Sequence, residues 1–280
     1  MTSPGKDRTL YVSDLDRTLL RSDGTLSTES ARLINAALED GVLFTYATAR
    51  SFSSSRRATE SLRLVLPLIT YGGTITTDPH TGAPADIQLL EQALITATIA
   101  SCENRPTTQP LLHTFEQGSD WLRWRPERQT AGISAFLNLR AGDPRLRPIT
   151  RADPIDLAAV FYVAILAPIA ELMDVRTDLR PTLDQCADFL TEDPSTPGFH
   201  WLEFHSPEGT KARAIQRLMA TLGVDRLVVF GDGPNDAPMF DIADESYAVA
   251  NAIPELKAIA TAVLDTNDQD AVARWIDARQ

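Results

Sequence analysis

Short apolar runs recur along the first third of the chain, each closed by polar residues and separated by stretches in which apolar positions return every three or four residues. Leu10–Asp14 (LYVSD) reads as a buried strand. Ser27 is placed to cap a helix reaching Asp40, with Gly41 to stop it. Val42–Thr48 predicts a second strand, about Phe52–Leu64 a helix, and Pro67–Gly73 a third strand. The last third repeats the pattern: a helix over about Thr210–Leu222, strands at Arg226–Asp232, Tyr247–Asn251 and Ala262–Thr266, and a closing helix over Gln269–Ala278. Strands alternating with helices indicate a parallel sheet with helices on its faces.

The middle has a different texture. After the turn signal Asp78–Gly82 come a helix over about Gln88–Glu103, two strand-like runs (LLHTFE and WLRWR), and a helix near Glu127–Arg140. A proline-rich loop leads to the apolar run AAVFYVAIL, a helix from about Pro168, and strands near Asp188–Thr191 and His200–His205. Paired strands with intervening helices suggest an α+β module with its own sheet. The expected organisation is a discontinuous α/β core, residues 1–75 plus 205–280, with an inserted domain over 76–204, each of ordinary domain size. The core is read as Rossmann-like, a doubly wound parallel sheet.

The formal net charge is −12 over 280 residues, which argues against nonspecific binding to nucleic acid or anionic membrane. It leaves room for a small phosphorylated partner, which needs only a local positive site. Cys102 and Cys186 stand far apart with no CxxC, so reduced thiols in a cytosolic protein are expected. The segment MTSPGKDRT lacks the apolar stretch of a signal peptide, and Val160–Ala170 is too short to span a membrane. Arginine supplies nearly all the positive charge. The three lysines are Lys6, Lys211 and Lys257, so a retained lysine invites a chemical reason.

In an open parallel sheet, ligands bind beyond the carboxyl ends of the strands. The polar residues there are Asp14 and Asp16, Thr48, Tyr71-Gly72-Gly73, and Asp232, Asn235 and Asp236. Lys211 opens the helix before one of those strands. Four carboxylates converging on one pocket repel unless a cation neutralises them. Their all-oxygen character favours Mg²⁺. Thr48 and Lys211 can hold phosphate oxygens, one carboxylate can attack phosphorus, and another can move the proton.

These segments, DLDRTL, ATAR, GTKARAI and GDGPND in that order, resemble the four motifs of the haloacid dehalogenase superfamily, and more narrowly its Cof-type branch with a type IIB (C2B) cap. The tail PELKAIA is similar to the family's usual sequence there. The resemblance covers both core segments. It implies a Mg²⁺-dependent phosphatase acting on a small phosphorylated metabolite, such as a sugar phosphate. Asp14 would be the nucleophile and Asp16 the general acid/base, with Thr48, Lys211 and Asn235 at the phosphate. Asp14, the backbone carbonyl of Asp16, Asp232 and Asp236 would surround the metal. Arg50, Gly72 and Gly73 are candidates for supporting the site. Arg17 and Ala49 stand where the family has glycine, Tyr71 where it commonly has asparagine, and AVANA (Ala248–Ala252) lacks its Met-Gly. These departures bear on substrate choice. Related sites also carry out phosphomutase and phosphotransferase reactions, and a metabolite-binding protein without turnover is a further alternative.

Each signal has a plainer reading. Asn235 or Asp236 could cap the helix DAPMFDIA. Thr48 could be a satisfied strand-end hydroxyl, and Lys211 a solvated helix residue. His80, His113, His200 and His205 lack metal-ligand spacing; His200 and His205 fall on opposite faces of a strand. WLRWRPER either presents arginines to an anionic substrate or packs one face of an amphipathic strand.

Overall fold

A computed structural model describes residues 8–193 and 195–280. Lys6 and most of the segment read for a leader lie outside the described residues. From the first described residues the chain runs β1 (Thr9–Ser13), a kinked turn (Leu15–Leu19), α1 (Thr28–Glu39), β2 (Leu43–Tyr46), α2 (Phe52–Ala58), β3 (Leu68–Thr70), β4 (Ile75–Thr77) and β5 (Pro84–Ile87). Then come α3 (Gln92–Glu103), β6 (Pro110–Glu116), β7 (Ser119–Trp124), α4 (Ala131–Leu139), β8 (Leu146–Pro148), β9 (Val160–Pro168), α5 (Ile169–Asp178), β10 (Ala187–Glu192) and β11 (Phe199–His205). The chain closes with α6 (Lys211–Leu222), β12 (Arg226–Gly231), α7 (Ala237–Asp241), β13 (Glu245–Ala248), α8 (Pro254–Ile259), β14 (Ala262–Val263) and α9 (Ala271–Asp277).

The chain forms two compact units, residues 8–87 with 208–280 and residues 88–207. In the first, a parallel sheet has the order β14-β13-β12-β1-β2. Leu227–Gly231 of β12 are all buried, the continuous apolar run expected of a strand covered on both faces. From β1 the chain proceeds to β2 on one side and later returns as β12 on the other. The crevice beyond Ser13 and Phe230, which face each other in register, is therefore the switch point where such sheets bind ligands. The second unit has a six-stranded sheet, β10-β11-β9-β6-β7-β8, antiparallel except for the β7–β8 pair. Leu112, Val163, Ile165, Leu202 and Phe204 form one core of this unit with Leu94, Leu172 and Val175 of α3 and α5. Leu111, Ala164 and Leu166 form another with Ile133 and Phe136 of α4.

Several boundaries differ from the sequence reading. The helix expected over Phe52–Leu64 stops at Ala58, because Thr59 leaves helical geometry and its hydroxyl returns to Ser55 O at 2.9 Å. Leu62 and Leu64 are still buried, in an irregular segment. The third strand ends at Thr70, where Tyr71 and Gly72 adopt positive φ. The helix near Glu127–Arg140 is split, with a short 3₁₀ turn before Thr130, which caps α4 through its bond to Ile133 N. Residues 76–87 belong with the first unit, since β4 and β5 continue an antiparallel sheet begun by β3.

Cys102 is buried and Cys186 half-buried; both are unpaired thiols. No helix among the described residues is long and apolar enough to cross a membrane. The arginines of WLRWRPER are engaged within their own unit: Arg123 pairs with Glu116 at 2.9 Å and Arg125 with Glu103 at 3.0 Å. His113 is half-buried against aromatic rings, and desolvation pushes its imidazole down to about 3.

Candidate active site

Asp14 is the first residue past β1, and its N–H donates to Phe230 O at 2.9 Å. Asp232 is the first residue past β12. Lys211 is the first residue of α6, which Thr210 caps by accepting from Arg213 N at 3.2 Å. A cation at the positive end of a helix is disfavoured, so strong local partners must hold it. They do: Lys211 Nζ donates to Asp14 Oδ1 at 2.5 Å and to Asp236 Oδ1 at 2.7 Å, with its side chain 2% exposed. Asp236 is wholly buried, and its Oδ2 accepts from the N–H groups of Asp232 and Gly233 at 2.9 and 3.0 Å. It thereby fixes both the lysine and the turn that presents Asp232.

Oxygens of Asp14, Asp232 and Asp236 lie within 4.8 Å of one another. Burial pushes the Asp14 carboxyl up to about 7, with Asp236 and Asp232 adding to the rise and Lys211 opposing it. Burial and the neighbouring Asp236 also raise Asp232, against the Thr18 hydroxyl and Arg17. Burial alone would pull the Lys211 ammonium down, but the two carboxylates outweigh it and leave it raised.

Asp16 is not part of this triad. Its carboxylate is half exposed and held by Arg50, with Nε to Oδ2 at 2.9 Å and Nη2 to Oδ1 at 2.5 Å. Thr48 is buried beyond β2. Its N–H donates to Ile69 O, its carbonyl accepts from Gly72 N, and its Oγ1 accepts from Arg50 N. Asn235 is exposed on the turn before α7. Gly72 closes the loop against Thr48, whereas Gly73 acts through steric necessity. At φ +111°, a Cβ on Gly73 would lie 2.1 Å from the carbonyl carbon of Thr210 and 2.6 Å from Lys211 N. Gly73→Ala should therefore push the start of α6 out of place and destabilise the fold by roughly 2–4 kcal/mol, read as a shifted urea midpoint. A midpoint equal to wild type would refute this contact.

Sequence reasoning missed the residues that hold the loop after Asp14. Thr18 Oγ1 donates to Asp232 Oδ1 at 3.2 Å. Asn251 Nδ2 donates to Arg17 O at 2.8 Å, and Asn267 Nδ2 to Leu20 O at 3.0 Å. Ser22 N–H and Ser27 Oγ donate to Asp268 and Asp270. Asn251 follows β13 and meets the same strand-end rule that selected the other residues. Arg17 itself adopts φ +58°, ψ +11°, and Tyr71 has φ +49°. Both departures from the resembled motifs thus occupy left-handed backbone, which costs a non-glycine residue about 1 kcal/mol.

A family model described as haloacid dehalogenase-like hydrolase matches residues 11–276. The chain belongs to that family. The match spans both units and every residue of the cluster. Among curated proteins, the 5-amino-6-(5-phospho-D-ribitylamino)uracil phosphatase YitU of Bacillus subtilis is 26% identical over 281 residues, covering 95% of this chain and 96% of that protein. A solved structure from Eubacterium rectale shares the fold with a TM-score of 0.82 at 18% identity, covering 97% of this chain and 98% of the other. The sugar phosphatase BT4131, described as HAD subclass IIB, does so with a TM-score of 0.70 at 17% identity, covering 97% and 98%.

The donor set of this hydrolase fits a hard divalent cation. Three clustered carboxylates face one ammonium, leaving an excess of negative charge that burial makes costly. Asp236 already accepts three hydrogen bonds, and a carboxylate offers about four lone-pair directions. Asp14 and Asp232 therefore have more lone pairs free to offer a cation.

Proposed function

We propose that this hydrolase is a Mg²⁺-dependent phosphatase that removes the phosphoryl group of a small sugar phosphate through an aspartyl-phosphate on Asp14. The observation that carries the reading is the buried Lys211 shared by Asp14 and Asp236. It fixes the nucleophile and supplies a compact positive charge where phosphate oxygens would arrive. Asp14 and Asp232, with Asp236 beside them, would hold the Mg²⁺, which when bound offsets their repulsion and draws charge from the phosphoryl group. Asp14 attacks phosphorus; Asp16, oriented by Arg50, gives a proton to the leaving oxygen and then takes one from the water that cleaves the acyl phosphate. Thr48 and Asn235 lie on the loops suited to the remaining phosphate contacts, and Gly72 and Gly73 keep those loops close to the backbone. The phosphorylated ribityl chain named for YitU and the sugar phosphatase named among the structural relatives support a polyol or sugar ester. Unpaired thiols support a cytosolic setting.

A panel of phosphorylated metabolites assayed for phosphate release tests this. Sugar phosphates should lead the panel. Chelation should remove activity, and excess Mg²⁺ should restore it and raise the melting temperature of the metal-free protein by several degrees, since ligand binding stabilises the folded state. Phosphate release indifferent to chelation would contradict the reading.

A further inference from the structure

Arg17 is a long cationic side chain in a backbone conformation that favours glycine. Its φ is +58°, and its carbonyl is fixed by Asn251, so the loop does not relax to suit it. An outlier of this kind at a site motivates a functional reading. The side chain is 64% exposed, yet Nε lies 3.9 Å from Asp232 Oδ2. Asp232 is in the triad with Asp14, so the guanidinium stands one carboxylate away from the candidate nucleophile. At that exposure and distance, the pair with Asp232 adds little stability and does not account for the strained backbone. Among the described residues, Lys211 is committed to two buried carboxylates, Arg50 to Asp16 and Lys257 to the Ala250 carbonyl.

Resting on the phosphatase reading above, we propose that Arg17 is a specificity residue that selects substrates carrying a second anionic group beside the phosphoryl group transferred to Asp14. Once Asp232 is neutralised by a cation, Arg17 is the uncompensated positive charge at the rim. Its planar fork suits a phosphate or carboxylate bidentately, in a way a lysine does not reproduce.

The test is calorimetric binding to the full chain at saturating Mg²⁺. Methylphosphonate serves as the single-anion probe and methylenediphosphonate as the paired one. Arg17→Gly should weaken methylenediphosphonate at least tenfold more than methylphosphonate, and Arg17→Lys should recover only part of that difference. The melting temperature of Arg17→Gly should not fall, because glycine suits the backbone. Turnover distinguishes the source of the second charge. The kcat/KM ratio of a sugar bisphosphate to p-nitrophenyl phosphate falls in Arg17→Gly if the second group is phosphate; that of phosphoglycolate falls if it is carboxylate. Equal losses for both phosphonates, or none, overturn the assignment to Arg17 while leaving the phosphatase reading intact. No release of phosphate from any of these esters by the wild-type protein overturns both.

Discussion

Asp14→Asn should abolish turnover, lowering kcat on p-nitrophenyl phosphate with Mg²⁺ by at least about 10⁴-fold, because the amide cannot form the acyl phosphate. The same change should leave the protein folded. Burial pushes the Asp14 carboxyl up to about 7, so ionising it is harder in the metal-free fold than in the unfolded chain. The sign follows from linkage. A carboxyl whose pKa is higher folded than unfolded binds more protons in the native state. Stability is therefore greatest below about pH 4 for this group and declines as pH rises toward 7. The neutral asparagine removes that decline while Lys211 keeps its bond to Asp236. In chelator at pH 8, Asp14→Asn should melt no lower than wild type. Activity above about one part in a hundred would rule out Asp14 as nucleophile, whatever the melting curve shows.

Lys211→Met should produce the largest loss of stability. It leaves Asp14, Asp232 and Asp236 within 4.8 Å of one another with their buried counterion gone. Removing one partner of such a group costs roughly 3–5 kcal/mol. The deficit should be largest at pH 8 and shrink toward pH 6, as Asp14 takes up the proton that Lys211 no longer helps to exclude. Urea midpoints of variant and wild type at the two pH values read this directly. Parallel pH slopes would mean that the lysine does not balance these charges. Turnover should fall by about 10³-fold or more even where the variant is folded, since neither the nucleophile nor the phosphate would then be held.

The strand-end residues were legible because one rule, polar groups beyond the carboxyl edge of a parallel sheet, collects them without knowledge of their contacts. Asp14, Lys211 and Asp236 converge as a buried cluster with the partly exposed Asp232 beside them. The periodicity also separated the parallel core from the inserted α+β sheet. Backbone geometry was hidden. Nothing in DLDRTL announces the turn closed by Leu20 N–H on Leu15 O or a left-handed Arg17, since both are held by distant partners such as Asn251 and Asn267. The short strands β4 and β5 were missed because only a few residues of each alternate, and their pairing depends on β3. The spacing of the motifs places Asp16 among four converging carboxylates. Its pairing with Arg50 instead depends on two loops meeting in space, which spacing along the chain does not encode.

The loop carrying Asp14 rests on Asn251, Asn267, Asp268 and Asp270, so the beginning of the molecule depends on residues made more than two hundred positions later. During synthesis on the ribosome, at roughly 5–20 residues per second, the first strand pairs early with β2 but must wait on the order of tens of seconds for β12. Residues 88–207 have their own hydrophobic cores and can fold in that interval. A nascent chain arrested before residue 251 would therefore display a folded insert and no working catalytic centre. Such an order of assembly keeps a cluster of mutually repelling acids from closing until the helix that brings their counterion has been made.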